Sequence, residues 1–200
     1  MGVDVYGYVE VHSSGQWAFA AGTVDNPERA NDPDEPAVMP EPLFHSYQKE
    51  LAAILTDTGN PIRSSEPYIP VVPRRGLPPD MSPVLSAWFM RDEDASSSGA
   101  TWFTAREAVE FGWADRIMRR RAHVPTQAAP LFADCPRGFP WTRWPAGVPV
   151  SYAAWSRDGI EVEWLESYEE IVPTFARDVL PQLAAFGPLD QVRLIVLASW

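Results

Sequence analysis

Two hundred residues, 46% of them hydrophobic, are enough to bury a real core in one domain and exclude a disordered or fibrous chain. Sixteen basic against twenty-seven acidic side chains give a formal net charge of −11, which repels a phosphate backbone and argues against bulk nucleic-acid binding. The single cysteine, Cys135, excludes an internal disulfide, and no apolar run reaches the roughly 20 residues of a membrane span. Asp4 and Glu10 stand where a signal peptide would carry basic residues, so the expectation is a cytoplasmic protein with no membrane association.

Val3, Val5 and Val9 alternate with Asp4, Tyr6, Tyr8 and Glu10 at the period of a half-buried strand, and Ser13-Ser14-Gly15 supplies the turn of an opening hairpin. Residues 24–42 hold five prolines among acids and amides and read as a mobile loop. Leu43, Tyr47, Leu51, Ile54 and Leu55 fit one helical face, with Ser46 as cap and Gly59 past the end. Residues 60–83 and 122–149 are Pro-rich excursions, since each proline removes a backbone donor.

Between them, Thr104 with Glu107 predicts a capping box on a short helix that Gly112 ends. YAAW and GIEVEWLE, with Asp158-Gly159 between, predict a second hairpin. Phe175, Val179, Leu183 and Phe186 trace a helical stripe that Pro181 should kink. VRLIVLASW reads as a buried central strand beside the first hairpin. The expected fold is therefore α+β: a single layer structure in one domain spanning 1–200, with an N-terminal hairpin, a C-terminal buried strand, helices between, and long Pro-rich loops.

Sites of the common kinds are missing from the pattern. No H-x-x-x-H, C-x-x-C or H-E-x-x-H spacing marks a metal, no glycine-rich phosphate loop occurs, and no G-x-S-x-G marks a nucleophile, so neither metal nor cofactor is expected. Cys135 reads as a partly buried thiol. The run from Arg116 to Arg121 reads as a solvated helix end. Glu161, Glu163, Glu166, Glu169 and Glu170 read as the solvent face of a strand and a helix start. The segment RRGLPPDMS packs Arg75, Asp80 and Ser82 into a proline-stiffened loop, which lowers the entropic cost of fixing polar groups. Its structural reading pairs Arg75 with Asp80 or with backbone. Its functional reading is a binding site completed by Asp4 and Tyr6 of the first strand.

Five segments in order, Met1-Gly2-Val3-Asp4-Val5-Tyr6, Ser46-Tyr47 through Leu51-Ala52, Arg75-Gly76-Leu77-Pro78 with Asp80 and Ser82, Trp102-Phe103-Thr104 with Glu107, and Val192 to Val196, resemble a family of small phage and bacterial proteins of uncharacterised activity that open with Met-Gly-Cys-Asp-Ile-His. Val3 stands where that family has Cys, Tyr6 where it has His, and Ser96 to Gly99 replace its His-Ser. The resemblance thus implies a retained fold without the side chains best suited to bind metal or move protons. With the acidic charge and nine tryptophans, the function expected is a non-enzymatic intracellular interaction module, an inhibitor or immunity-like protein of a phage or mobile element, whose partner is a basic protein. The rival is an enzyme or small-ligand protein with its site around RRGLPPDMS and the first strand.

Overall fold

The computed structural model describes residues 2–58, 64, 66–89 and 99–199. In chain order the strands are β1 (Asp4–Ser13), β2 (Gln16–Phe19), β3 (Thr23–Asp25), β4 (Val38–Pro40), β5 (Phe44–Ser46), β6 (Thr101–Thr104), β7 (Ile117–Val124), β8 (Ile160–Ser167) and β9 (Val192–Ser199). The helices are α1 (Lys49–Thr56), α2 (Pro83–Phe89), α3 (Ala105–Val109), α4 (Tyr168–Ile171) and α5 (Leu180–Ala185). The pairings are antiparallel and the class is α+β. Length alone suited one domain, but the described residues group into two compact units. One comprises residues 1–59, 69–111 and 174–200, and the other comprises 60–68 and 112–173.

The first unit is built on a sheet in the order β2-β1-β9-β6, with β5 also paired to β1. Ser14 (φ 52°) and Gly15 (φ 83°) both take left-handed backbone, as a two-residue hairpin turn between β1 and β2 requires. The apolar run of β9 lies between β1 and β6, and both of its faces are buried. Tyr8 and Ile195 on one face pack with Leu85 and Phe89 of α2. Val5, Val9, Leu194 and Val196 on the other face are fully buried, and α1 and α3 both pack on β9.

Three local expectations change. Residues 24–42, read as a mobile loop, include the β3–β4 ribbon, with Asn26 capping a 3-10 turn at Pro27–Ala30; the apolar Val24, Val38 and Met39 supply the strand pairing. The helix expected from Leu43 begins at Lys49, because Phe44–Ser46 pairs with the open edge of β1 instead, and Ser46 accepts a hydrogen bond from the Gln48 amide just outside the helix. Asp57 ends α1 in left-handed backbone (φ 55°), and Gly59 lies outside the described residues. Near the C-terminus a π-helical turn over Phe175–Val179 runs without a break into α5, so Pro181 follows turns that are already helical, and the helical irregularity lies in the turn just before it.

The second unit is organised by the β7–β8 ribbon. Its inward residues Ala122, Val124, Val162 and Trp164 form a core with Ala128, Phe132 and Phe139. The arginine run is therefore strand rather than a helix end, and its burial alternates along β7. The expected hairpin between YAAW and GIEVEWLE does not form, since β8 takes β7 as partner and Ala153 makes only a single bridge to His123. A capping box of Ser167 and Glu170 starts α4 where the glutamate run predicted a helix start. No helix among the described residues is long and apolar enough to cross a membrane.

Candidate functional site

In the first unit the RRGLPPDMS segment is fastened to the sheet by charge. Arg75 reaches Glu107 in a two-pronged pair, at 3.0 Å and 2.6 Å, with its guanidinium carbon 4.9 Å from the centre of the Trp102 ring. Glu107 also closes the capping box of α3, so one carboxylate fixes both helix and loop. The Arg75 amide donates to Thr101 Oγ1 (3.0 Å). Asp80 accepts from Arg193 Nη1 (2.7 Å) and Ser82 donates its amide to Glu10 Oε1 (2.7 Å), while Arg193 Nε donates to Glu10 Oε2 (2.8 Å). Glu10 and Arg193 are direct neighbours across β1 and β9 and almost wholly inaccessible, at 0% and 1%. Arg193 lies 3.9 Å from the centre of the Trp17 ring and 5.5 Å from that of Trp102.

Arg75 and Asp80 thus do not pair with each other; Arg75 pairs with Glu107 of α3 and Asp80 with Arg193 of β9. The Ser82 hydroxyl is buried with no hydrogen-bond partner among the described residues, and only its amide joins the network. These contacts engage Arg75, Asp80 and Ser82 in holding a loop, which is the scaffold role that proline stiffening makes inexpensive in entropy.

Asp4 and Tyr6 lie elsewhere. Asp4 faces Ser199 and Glu10 faces Arg193 on β9, so six residues of strand, about 20 Å, separate Asp4 from the buried triad. The five residues read as one site therefore do not converge. Asp4 and Tyr6 instead meet His45, which the sequence pattern left unassigned, and Tyr47, which it placed on a helical face. Pairing of β5 with β1 sets Tyr6 opposite His45, and the two rings stack with centres 4.4 Å apart and planes 5° from parallel. His45 Nε2 donates to Asp4 Oδ1 at 2.7 Å, leaving Nδ1 as the second polar edge of the ring. Tyr47 meets His45 edge to face at 4.6 Å. Burial, followed by the Asp4 carboxylate and Tyr47, pushes the Tyr6 phenol above its ordinary value.

His45 also lines a cavity of about 280 Å³, with Phe44, Leu51, Phe175 and Val179 as its apolar residues and Ser46, Gln48 and Thr174 as further polar ones; Asp4, Tyr6 and Tyr47 do not line it. Phe44 packs edge to face on Phe175 (5.3 Å). Its ring lies over Gly7, at a place where any Cβ would collide with it. The alternation in FHSY carried the signal for this site, since a strand there sends His45 to the face of Tyr6; the helical spacing of Leu43 and Tyr47 masked it.

In the second unit the basic and acidic runs answer each other across the ribbon. Arg119 pairs with Glu163 at 2.9 Å. Arg120, 6% exposed, donates to the Tyr68 hydroxyl (3.0 Å) and lies 3.8 Å from Glu166. Phe139 is ringed by Phe132, Trp141, Trp144, Tyr152 and Trp164, so the aromatics of the Pro-rich excursion fold onto the core. Among the described residues no three His, Cys, Asp or Glu side chains cluster closely enough to hold a metal ion.

Comparison of the chain with protein-family models, curated proteins and solved structures finds no match.

Proposed function

We propose that the protein is an intracellular, non-enzymatic recognition module that binds a basic protein segment at the Asp4, Tyr6, His45 and Tyr47 surface. The observation that carries this reading is Tyr47, which is 70% exposed yet held edge-on to an imidazole that Asp4 and Tyr6 fix in turn. A large ring held out in solvent contributes little to the core, and its edge contact with His45 reduces the freedom a partner must remove on binding. The cavity that His45 shares with Phe44 and Phe175 has room for one apolar anchor side chain, and Asp4 with the two phenol rings offers a seat for a lysine or arginine. The rival reading, a single site of the RRGLPPDMS loop with the first strand, draws less support, because Arg75 and Ser82 have their polar contacts on Glu107 and Glu10 and because Asp4 and Tyr6 lie at the other end of β1. One form of this activity is an inhibitor or immunity-like protein of a phage or mobile element, a role that rests on the acidic charge and the nine tryptophans.

The test is a binding assay with the partner purified from host lysate on the wild-type protein. Tyr47→Ala is expected to weaken that partner's affinity by about tenfold or more while leaving the melting temperature unchanged. Trp155→Ala, at a ring 73% exposed in the other unit, serves as the control and is expected to bind normally. Undiminished binding by Tyr47→Ala, or recovery of a small molecule in the cavity in place of a protein, would overturn the reading.

A further inference from the structure

A second cleft of the first unit, at the far end of β1 from Tyr47, has different chemistry. It measures about 290 Å³ and is lined by His12, Gln16, Trp17, Asp80, Met81 and Pro83. His12 and Trp17 are cross-strand partners at the β1–β2 turn, with ring centres 5.1 Å apart. Trp17, carrying Arg193 against its ring, is fixed in place.

Charge decides what this cleft accepts. Two carboxylates, Glu10 and Asp80, share one guanidinium, Arg193, so the triad carries −2 + 1 = −1 in formal charge. Glu10 is sealed at 0% exposure and spends both oxygens on Arg193 and the Ser82 amide, whereas Asp80 is 61% exposed and lines the cleft. The uncompensated charge therefore surfaces at Asp80. The hydrogen bond from Arg193, with a further contribution from Trp17, keeps this carboxyl below the usual carboxylate range, so it stays ionised in mildly acidic solution as well. An anion would meet this charge head on. Among the described residues no second and third ligand stands close enough for a metal ion. What remains complementary is an organic cation with an apolar stem: its head on Asp80 and the Gln16 amide oxygen, its stem along Met81 and Pro83, its flank against the Trp17 and His12 rings.

We propose that the cleft between the β1–β2 turn and the Asp80 loop is a binding site for an alkylammonium group, supplied either by a free amine or by a lysine side chain. The site is separate from the Tyr47 surface and does not depend on it.

The experiment is a proton–nitrogen NMR titration of the wild-type protein. The probes are n-butylammonium chloride and its neutral isostere n-butanol. Saturable shifts of the Trp17 indole and Gln16 side-chain amide with butylammonium, at affinity about tenfold or more above butanol, are the expected result. Absence of saturable shifts, or equal response to butanol, overturns the proposal, and neither outcome requires a variant. Asp80→Asn, with folding checked by its amide spectrum, is expected to lower the affinity by about tenfold or more; an unchanged affinity in the folded variant also overturns the proposal. Nα-acetyl-lysine N-methylamide separates the two sources. Tighter binding than butylammonium points to a peptide lysine, and equal or weaker binding points to a free amine.

Discussion

Arg193 is a charged side chain in an otherwise apolar strand, and its burial at 1% is tolerable only because Glu10 and Asp80 accept hydrogen bonds from it and balance its charge. Removing it strands Glu10, which has no water to turn to. Arg193→Met is therefore expected to cost about 3–5 kcal/mol in urea unfolding. The double variant Arg193→Met/Glu10→Gln should recover part of that loss, since the residual cost of a neutral amide is smaller than that of an unpaired carboxylate. Asp80, largely solvated, needs no such compensation. If the single and double variants lose equal stability, the charge pair is not what the site requires. The sequence pattern puts Glu10 on the polar side of the first strand and leaves Arg193 unmarked inside an apolar run; their contact spans 183 residues, and only the register of β1 on β9 brings them opposite.

At the scale of elements, the edge pairing of β5 on β1 creates the candidate recognition surface, and Gly7 permits it. The Phe44 ring occupies the space where a side chain at position 7 would stand. Gly7→Ala is expected to push that ring aside and destabilise the protein by about 1–3 kcal/mol, read as a lowered midpoint of chemical unfolding. The His45 and Tyr47 resonances should shift with it, because both residues ride on the displaced strand or its end. An unchanged midpoint would mean that the ring relaxes freely, and that β5 is not tightly registered.

Which elements were legible follows from where their information resides. The Ser14-Gly15 turn, the Thr104–Glu107 box and the apolar run of β9 are specified within a few residues, and periodicity or turn chemistry reveals them. Partner choice is not local. Nothing near Arg116 says that β8 lies opposite, so a strand of alternating arginines resembled a helix end. Nothing near Leu43 says that β1 leaves an edge open for Phe44–Ser46. The candidate site was half legible for the same reason: Asp4 and Tyr6 stood out on the first strand, while His45 joins them across 41 residues.

For the whole molecule, a net charge of −11 acts beyond any single contact. A field of that sign raises the local concentration of basic partners and accelerates their encounter, and dissolved salt screens it over a Debye length of about 8 Å at physiological ionic strength. Docking through an aromatic anchor in an apolar cavity is short-range and responds little to salt. The two contributions separate kinetically. For the partner bound at the Tyr47 surface, raising salt from about 0.05 M to about 0.5 M is expected to slow association several-fold while leaving the dissociation rate within about twofold. Tyr47→Ala is expected to do the reverse, accelerating dissociation and sparing association. Stopped-flow or surface-based kinetics on both proteins at both salt concentrations distinguishes the cases. An association rate indifferent to salt would remove the basic partner from the reading, since a cationic surface approaching this chain cannot escape its field.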